Sequence, residues 1–242
     1  MAIENKGQFF VVATPIGNLS DLSQRTKQTL SSVALVAAED TRRARQLLNH
    51  LALVKPLLRC DELVQEKAAE KVLQVLSKGS SVAFICDAGT PGVSDPGATL
   101  VDQIHLAGVQ IISIPGPSAL TAALSISGFQ SIPFTFYGFL KRKGGGRKKI
   151  LRAIALGKKT SVFFESPHRL GKTISELAAI APSRMAFIAR ELTKKFEETW
   201  RGPLKELCTE ILKKKILGEC TIVVAPKKKH KVKHGWFEKE DE

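Results

Sequence analysis

Four short apolar runs constrain the first half of this chain: QFFVVATP, ALVAAED, SVAFICDA and VQIISIP. Each is apolar along its length rather than at alternate positions. Such a strand is buried on both faces, which happens when helices cover a parallel sheet from both sides. The stretches between them have the period of helices. LSQRTKQTLSSV is one, and TRRARQLLNHL is another, with Ala44, Leu47, Leu48 and Leu51 on its apolar side. A helix over 66–76 carries Ala69, Val72, Leu73 and Leu76. TLVDQIHLA and PSALTAALSIS follow, the latter tolerating Pro117 in its first turn. The pattern predicts an N-terminal α/β domain over residues 1–131 with a mainly parallel sheet.

All four runs end in turn-forming or charged residues: TPIGNL, EDTRR, DAGTPGVSDPG and PGPSA. Ligands of open parallel sheets bind beyond the carboxyl ends of the strands. In the third turn, Gly89, Gly92 and Gly97 can adopt positive φ or leave room for a ligand that a Cβ would fill. Asp87, at the strand end, either accepts hydrogen bonds from a ribose or amino group or caps the local backbone. TPIGNLSD does not match the GxGxxG fingerprint, and there is no phosphate-binding loop ending in GK[ST]. A nucleoside-like ligand without a tightly cradled phosphate fits better than ATP or NAD.

After Ile132 the pattern changes. PFTFYGFL, TSVFFESP, RMAFIAREL and GECTIVVAP read as strands, with helices near 170–179 and 204–212. FEETWRG follows its predecessor too closely for a crossover helix and reads as an antiparallel strand. A smaller mixed-sheet α/β domain is expected over 132–226, with a charged tail at 227–242.

Charge narrows the partner. Lys and Arg outnumber Asp and Glu by 37 to 23, a formal net charge of +14. The excess is concentrated in one stretch without an acidic residue: Lys141, Arg142, Lys143, Arg147, Lys148, Lys149, Arg152, Lys158 and Lys159. Gly144 to Gly146 are expected to form a flexible tip within it. Such a patch binds phosphates with strong salt dependence, and RNA recognition often relies on shape and phosphate contacts. No broad apolar face accompanies the charge and no apolar run approaches a membrane span, so a membrane partner is not expected. Cys60, Cys86, Cys208 and Cys220 are widely spaced with no CxxC, so no metal is expected. A cytoplasmic setting follows.

Acids and arginines recur at the strand ends. In AEDTRR, Asp40 or Thr41 can cap a helix, but Arg42 and Arg43 in its first turn oppose the helix dipole and suit a phosphate instead. ESPHRL offers Glu165 or His168 as a general base, or as capping and surface groups. ARELTKKFEE places Arg190 and Glu191 at a third strand end, Arg190 suiting a phosphate.

Taken together, VVATPIGNLSDLSQRT, AAEDTRR, DAGTPGVSDPG, IPGPSALTAAL, GFLKRK, FFESPHRL and ARELTKKFEE resemble the small-subunit ribosomal RNA methyltransferase I group of the tetrapyrrole methylase superfamily. The resemblance runs from about Phe9 to Pro226. It implies a two-domain α/β enzyme, usually a homodimer, that uses S-adenosylmethionine bound between the domains. It places the cofactor against Pro15, against Asp87, Ala88 and Gly89, and against Pro115, Gly116 and Ser118, with Phe139 and Leu140 closing over it. It implies methylation of a cytidine 2′-hydroxyl in the decoding centre of 16S rRNA, in the assembled small subunit. Asp40, Glu165 and Glu191 are then the candidate bases, with Arg42, Arg43, Lys141, Arg142, Lys143, Arg147, Lys148, Lys149 and Arg190 on the RNA. Methylation of another acceptor, or RNA binding without catalysis, are the rival expectations. TPIGNL lacks the glycine-rich form of the cobalamin-pathway members, which disfavours a porphyrin-like substrate. The sixteen residues after Pro226 are fewer than many relatives of the rRNA branch carry, which would place more of the RNA docking on the basic stretch.

Overall fold

A computed structural model describes residues 6–227. Its first sheet contains β1 (Phe9–Val12), β2 (Leu35–Ala38), β3 (Leu57–Arg59), β4 (Val82–Ile85) and β5 (Ile111–Ile114), interleaved with α1 (Gln24–Ser32), α2 (Thr41–His50), α3 (Gln65–Ser77) and α4 (Ala98–Leu106). All its pairs are parallel, in the order β3-β2-β4-β1-β5. The central strand β4 shows why the runs are continuously apolar. Val82 and Phe84 join one core with α3 and α4, whereas Ala83 and Ile85 join a second with α1 and α2. Alternate side chains point to opposite faces and both faces are covered. Full burial of Phe84 alone is worth about 2–3 kcal/mol.

α5 (Ala119–Ser127) leads to β6 (Phe134–Phe139), α6 (Gly145–Leu156), β7 (Thr160–Glu165), α7 (Pro167–Ile180), β8 (Met185–Arg190), β9 (Glu198–Pro203), α8 (Leu204–Leu212) and β10 (Cys220–Val224). The second sheet has the order β6-β7-β10-β8-β9. β6 and β7 are parallel and the other pairs antiparallel, giving the mixed sheet that the sequence predicts. α6, α7 and α8 cover one face. α5 covers the other, packing Ala123 and Leu124 onto Val162, Phe187 and Val223. The helix that ends the first sheet's segment thus lies on the second sheet.

Several sequence expectations change. The three-residue edge strand β3 goes unpredicted, because LLR is too short and too exposed to show a pattern. Pro117 lies outside α5, whose N-cap is Ser118. The glycine tip is shorter than expected: Gly144, at φ 99°, is the N-cap of α6, and Gly145 and Gly146 are its first residues. Lys148, Lys149 and Arg152 therefore sit on a helix rather than a loop. Apart from Lys227, the charged tail lies outside the described residues. Among the described residues, no helix is long and apolar enough to cross a membrane, and no group of three potential metal ligands occurs.

Candidate active-site cleft

The loops leaving β1, β4 and β5 are joined by hydrogen bonds. Thr14 and Gly89 exchange backbone bonds of 2.8 and 3.0 Å. Thr14 Oγ1 donates to the Cys86 carbonyl at 3.2 Å, and Thr90 Oγ1 donates to the Pro117 carbonyl at 3.3 Å. Gly89 takes φ +83° in this arrangement, a conformation that glycine adopts without strain. The loop after β2 is attached through acids: the Asp87 amide donates to Glu39 Oε2 at 3.4 Å, and the Asp40 amide donates to Asp87 Oδ1 at 3.2 Å.

The turn after β8 faces these loops. Glu191 and Thr193 hold positive φ values of 52° and 67°, which are strained for non-glycine residues. Lys194 Nζ lies 2.8 Å from Glu191 Oε1. Gly17 approaches this turn so closely that a Cβ on it would sit 2.3 Å from Lys194 Cγ and 2.9 Å from Thr193 Oγ1. Thr193 Oγ1 is buried without a hydrogen-bond partner.

Two adjoining cavities result. The first, of 320 Å³, lies between the two sheets. It is lined by Glu39, Asp87, Asp95, Glu191 and Glu219, by the cations Arg43 and Lys194, and by Ile16, Phe139 and Phe164. The second, of 470 Å³, lies against α2 and is lined by Thr14, Pro15, Gly17, Asp40, Gln46 and Leu47. Arg43 and Asp87 line both. Acids outnumber cations in the first cavity, although the whole chain carries +14. Burial, and then neighbouring Glu39, push the Asp95 carboxyl up to about 6. Burial also raises Glu39, with Asp87 adding repulsion and its amide and Arg43 offsetting part of the rise.

The structure gathers most of the residues expected at the cofactor and separates others. Asp87, Ala88, Gly89, Ser118 and Phe139 line the first cavity and Pro15 the second. Pro115 and Gly116 lie on the exposed loop after β5 and line neither cavity; Gly116 packs its backbone on Ala13. Leu140 is buried in the second sheet's core and lines neither cavity.

The acids expected as bases have different surroundings. Asp40 caps α2 through the Arg42 amide at 2.8 Å and binds the Arg42 side chain at 2.7 Å. Those bonds hold its carboxyl far below the usual range, which makes it a poor proton acceptor. Glu191 is raised by burial but lowered more by Lys194 and by the Glu219 amide, with a net shift downward. Glu165 is 0% exposed, and both its oxygens are taken by protein groups, so it has no access to a substrate. His168 is exposed on α7 and lines neither cavity.

Among the basic residues, Arg42, Arg43, Lys141, Arg142, Lys143, Lys148 and Lys149 are exposed. Arg147 is a correction: it is 5% exposed and bound to Glu176, Thr173 and the Lys141 carbonyl, because α6 buries that face against α7. Arg190 pairs with Glu198 at 3.1 Å and donates to the Leu217 carbonyl, and it lines neither cavity. The sequence reading passes over Asp95, Phe164 and Glu219, treats Glu39 only as a neighbour of Asp40, and takes Lys194 for a phosphate ligand where the structure pairs it with Glu191. An acid inside the Pro- and Gly-rich turn was the available signal for Asp95.

Residues 8–208 match the family model described as Tetrapyrrole (Corrin/Porphyrin) Methylases. The chain is 43% identical over 221 residues to "Ribosomal RNA small subunit methyltransferase I" of Thermotoga maritima, covering 91% of this chain and 99% of that protein. The protein of the same name from Bacillus subtilis is 40% identical over 218 residues, covering 90% of this chain and 75% of the relative. In fold, the chain is similar to the methyltransferase CobJ, with a TM-score of 0.68 and 19% identity, over 91% of this chain and 94% of that one. It is also similar to uroporphyrin-III-C-methyltransferase from Thermus thermophilus, with a TM-score of 0.63 and 18% identity, over 90% and 94% of the two chains.

Proposed function

This chain belongs to the tetrapyrrole (corrin/porphyrin) methylase family, and on that premise we propose that it methylates small-subunit ribosomal RNA with S-adenosylmethionine, at the 2′-hydroxyl of a cytidine ribose in the decoding centre. The observation that carries this reading is an acid-rich, aromatic-floored cleft in a strongly basic chain. A net-cationic sulfonium amino acid is attracted by Glu39, Asp87 and Asp95, and its adenine suits the apolar wall of Phe139 and Phe164. Gly89, with φ +83°, brings its backbone to the cleft in a conformation that a side chain would strain. The donor set therefore fits the cofactor. The curated relatives' names support ribosomal RNA as acceptor, and the exposed cations Lys141, Arg142, Lys143, Lys148 and Lys149 supply the phosphate contacts that such an acceptor needs.

When bound, the cofactor supplies a methyl carbon on a positively charged sulfur, a leaving group that needs no metal. The chain's own work is alignment, exclusion of water and management of one proton. Arg43, on the wall shared by the cavities, holds the phosphate of an acceptor whose ribose reaches from the larger cavity to that wall, beside Glu39. Glu39 is the proton acceptor in this reading. Its proton affinity is raised, and it lies beside Asp87 and Arg43, whereas Asp40 and Glu191 are neutralised by Arg42 and Lys194. Asp87 holds the loops of β2 and β4 together and faces both ligands. A homodimer and a cytoplasmic setting form part of the same proposal.

The test is transfer of label from radiolabelled S-adenosylmethionine to small subunits that lack the modification, followed by nuclease mapping and ribose-methyl analysis. A ribose-methylated cytidine is expected. Label on a base or on a protein would keep the methyltransferase and refute the acceptor. Cofactor binding without transfer to any RNA would refute the RNA reading.

A further inference from the structure

Glu165 ends β7 in the second sheet's interior, and the proposed reaction gives it no role. Its surroundings lead outward to the basic surface. Thr173 Oγ1 donates to Glu165 Oε2 at 2.8 Å, and in turn accepts from Arg147 Nη2 at 2.8 Å. Arg147 Nη1 donates to the Lys141 carbonyl at 3.1 Å. On the other side, Glu165 Oε1 pairs with Arg169 Nη2, and Arg169 Nη1 donates to the Leu140 carbonyl at 3.0 Å. Arg147, which pairs with Glu176 at 2.6 Å and lies 3.8 Å from Glu165 Oε2, and Arg169 thus hold two consecutive backbone carbonyls beside one buried carboxyl. Those carbonyls open the segment that carries Lys141, Arg142 and Lys143, and Phe139 of the cleft wall immediately precedes them.

We propose that Glu165 is a positioning residue which, through Arg147 and Arg169, clamps the Leu140–Lys141 backbone and so fixes the basic segment for the phosphate backbone of RNA. A buried acid with two arginines is poor evidence for stability as such, since well-packed apolar residues serve as well. Its geometry here does something an apolar core cannot: it directs guanidinium donors at carbonyls that otherwise have no regular secondary structure to bind. Preorganised cations lose less conformational entropy on meeting phosphates than mobile ones. The inference rests on the proposed RNA acceptor for its purpose, but the clamp is testable without it.

The experiment compares Glu165→Gln, Thr173→Val and Thr173→Ser with the wild type. Trypsin nicking after Lys141, Arg142 and Lys143, measured under native conditions, reads the clamp directly. Glu165→Gln and Thr173→Val are expected to speed nicking about tenfold, and Thr173→Ser, which keeps the hydroxyl, to stay near wild type. Binding to unmodified small subunits over a salt series should weaken about tenfold in the first two variants, with a shallower salt dependence. Their S-adenosylmethionine affinity, by calorimetry, should stay within about threefold of wild type. Wild-type nicking in both Glu165→Gln and Thr173→Val overturns the clamp. Faster nicking with unchanged subunit affinity overturns its role in binding. Failure of the wild type to bind subunits counts against the proposed acceptor, and nicking then still decides the clamp. If Glu165→Gln does not fold, the two Thr173 variants carry the test alone.

Discussion

Arg43 Nε lies 3.4 Å from Asp87 Oδ2, on the wall shared by the cleft between the sheets and the larger cavity against α2. The pair joins two loops that are 44 positions apart in sequence, and each member faces both cavities. If the proposed cofactor and acceptor occupy the two cavities, its two halves have separable roles.

Asp87 supplies negative charge to the cleft. Asp87→Asn keeps the shape and removes the charge. Calorimetric titration should show S-adenosylmethionine affinity about ten- to a hundredfold weaker, the range for one hydrogen bond to a charged group. Wild-type affinity would remove Asp87 from the cofactor site.

Arg43→Ala should act on the acceptor instead. The KM for small subunits is expected to rise about tenfold, with cofactor affinity not weakened, since the lost cation repels a cationic ligand. Arg42→Ala should have less effect on that KM, because the Arg42 guanidinium is already engaged by Asp40. Equal KM effects for the two variants would refute the distinction.

Glu39→Gln should lower kcat by about a hundredfold while cofactor binding survives. In the wild type, the acid limb of kcat/KM should lie above the ordinary Glu range, because burial raises this group. Asp40→Asn should leave turnover within about threefold, since Asn caps a helix as well as Asp does. If the two results are reversed, Asp40 is the base.

Asp95 makes a stability prediction with a definite sign. Its carboxyl is pushed up from 3.8 to about 6, so the folded protein holds this proton more tightly than the unfolded chain does. Its contribution to stability is complete below 3.8 and is lost as pH rises through about 6. Asp95→Asn removes that loss. Its Tm should exceed the wild-type value at pH 7, and the gap should close toward pH 4. A constant gap across this range would rule out the titration as its source.

Gly17→Ala tests the approach of the two lips of the cleft. The added Cβ meets Lys194 Cγ and Thr193 Oγ1, so the β8 turn must move. A stability loss of about 1–3 kcal/mol in urea unfolding is expected. Unchanged stability would show that the turn shifts without cost.

The sequence by itself determined the parallel sheet, because continuously apolar strands between amphipathic helices have few other ways to be buried. It also marked one end of that sheet as the candidate site, since turn residues gather at one end of every strand it revealed and ligands of such sheets bind there. β3 escaped, being three half-exposed residues on an edge. Tertiary structure alone decided what each charged residue does. FFESPHRL and AAEDTRR read alike, as acids with arginines at strand ends. One acid is sealed in the core and the others face a cleft, because α6 brings Arg147 and α7 brings Thr173 onto Glu165. The basic stretch divides in the same way, Arg147 turning inward while Lys148 and Lys149 remain in water. An ionisable group's behaviour depends on its desolvation and on the charges packed against it. Those neighbours come from other elements, so the local sequence does not specify them.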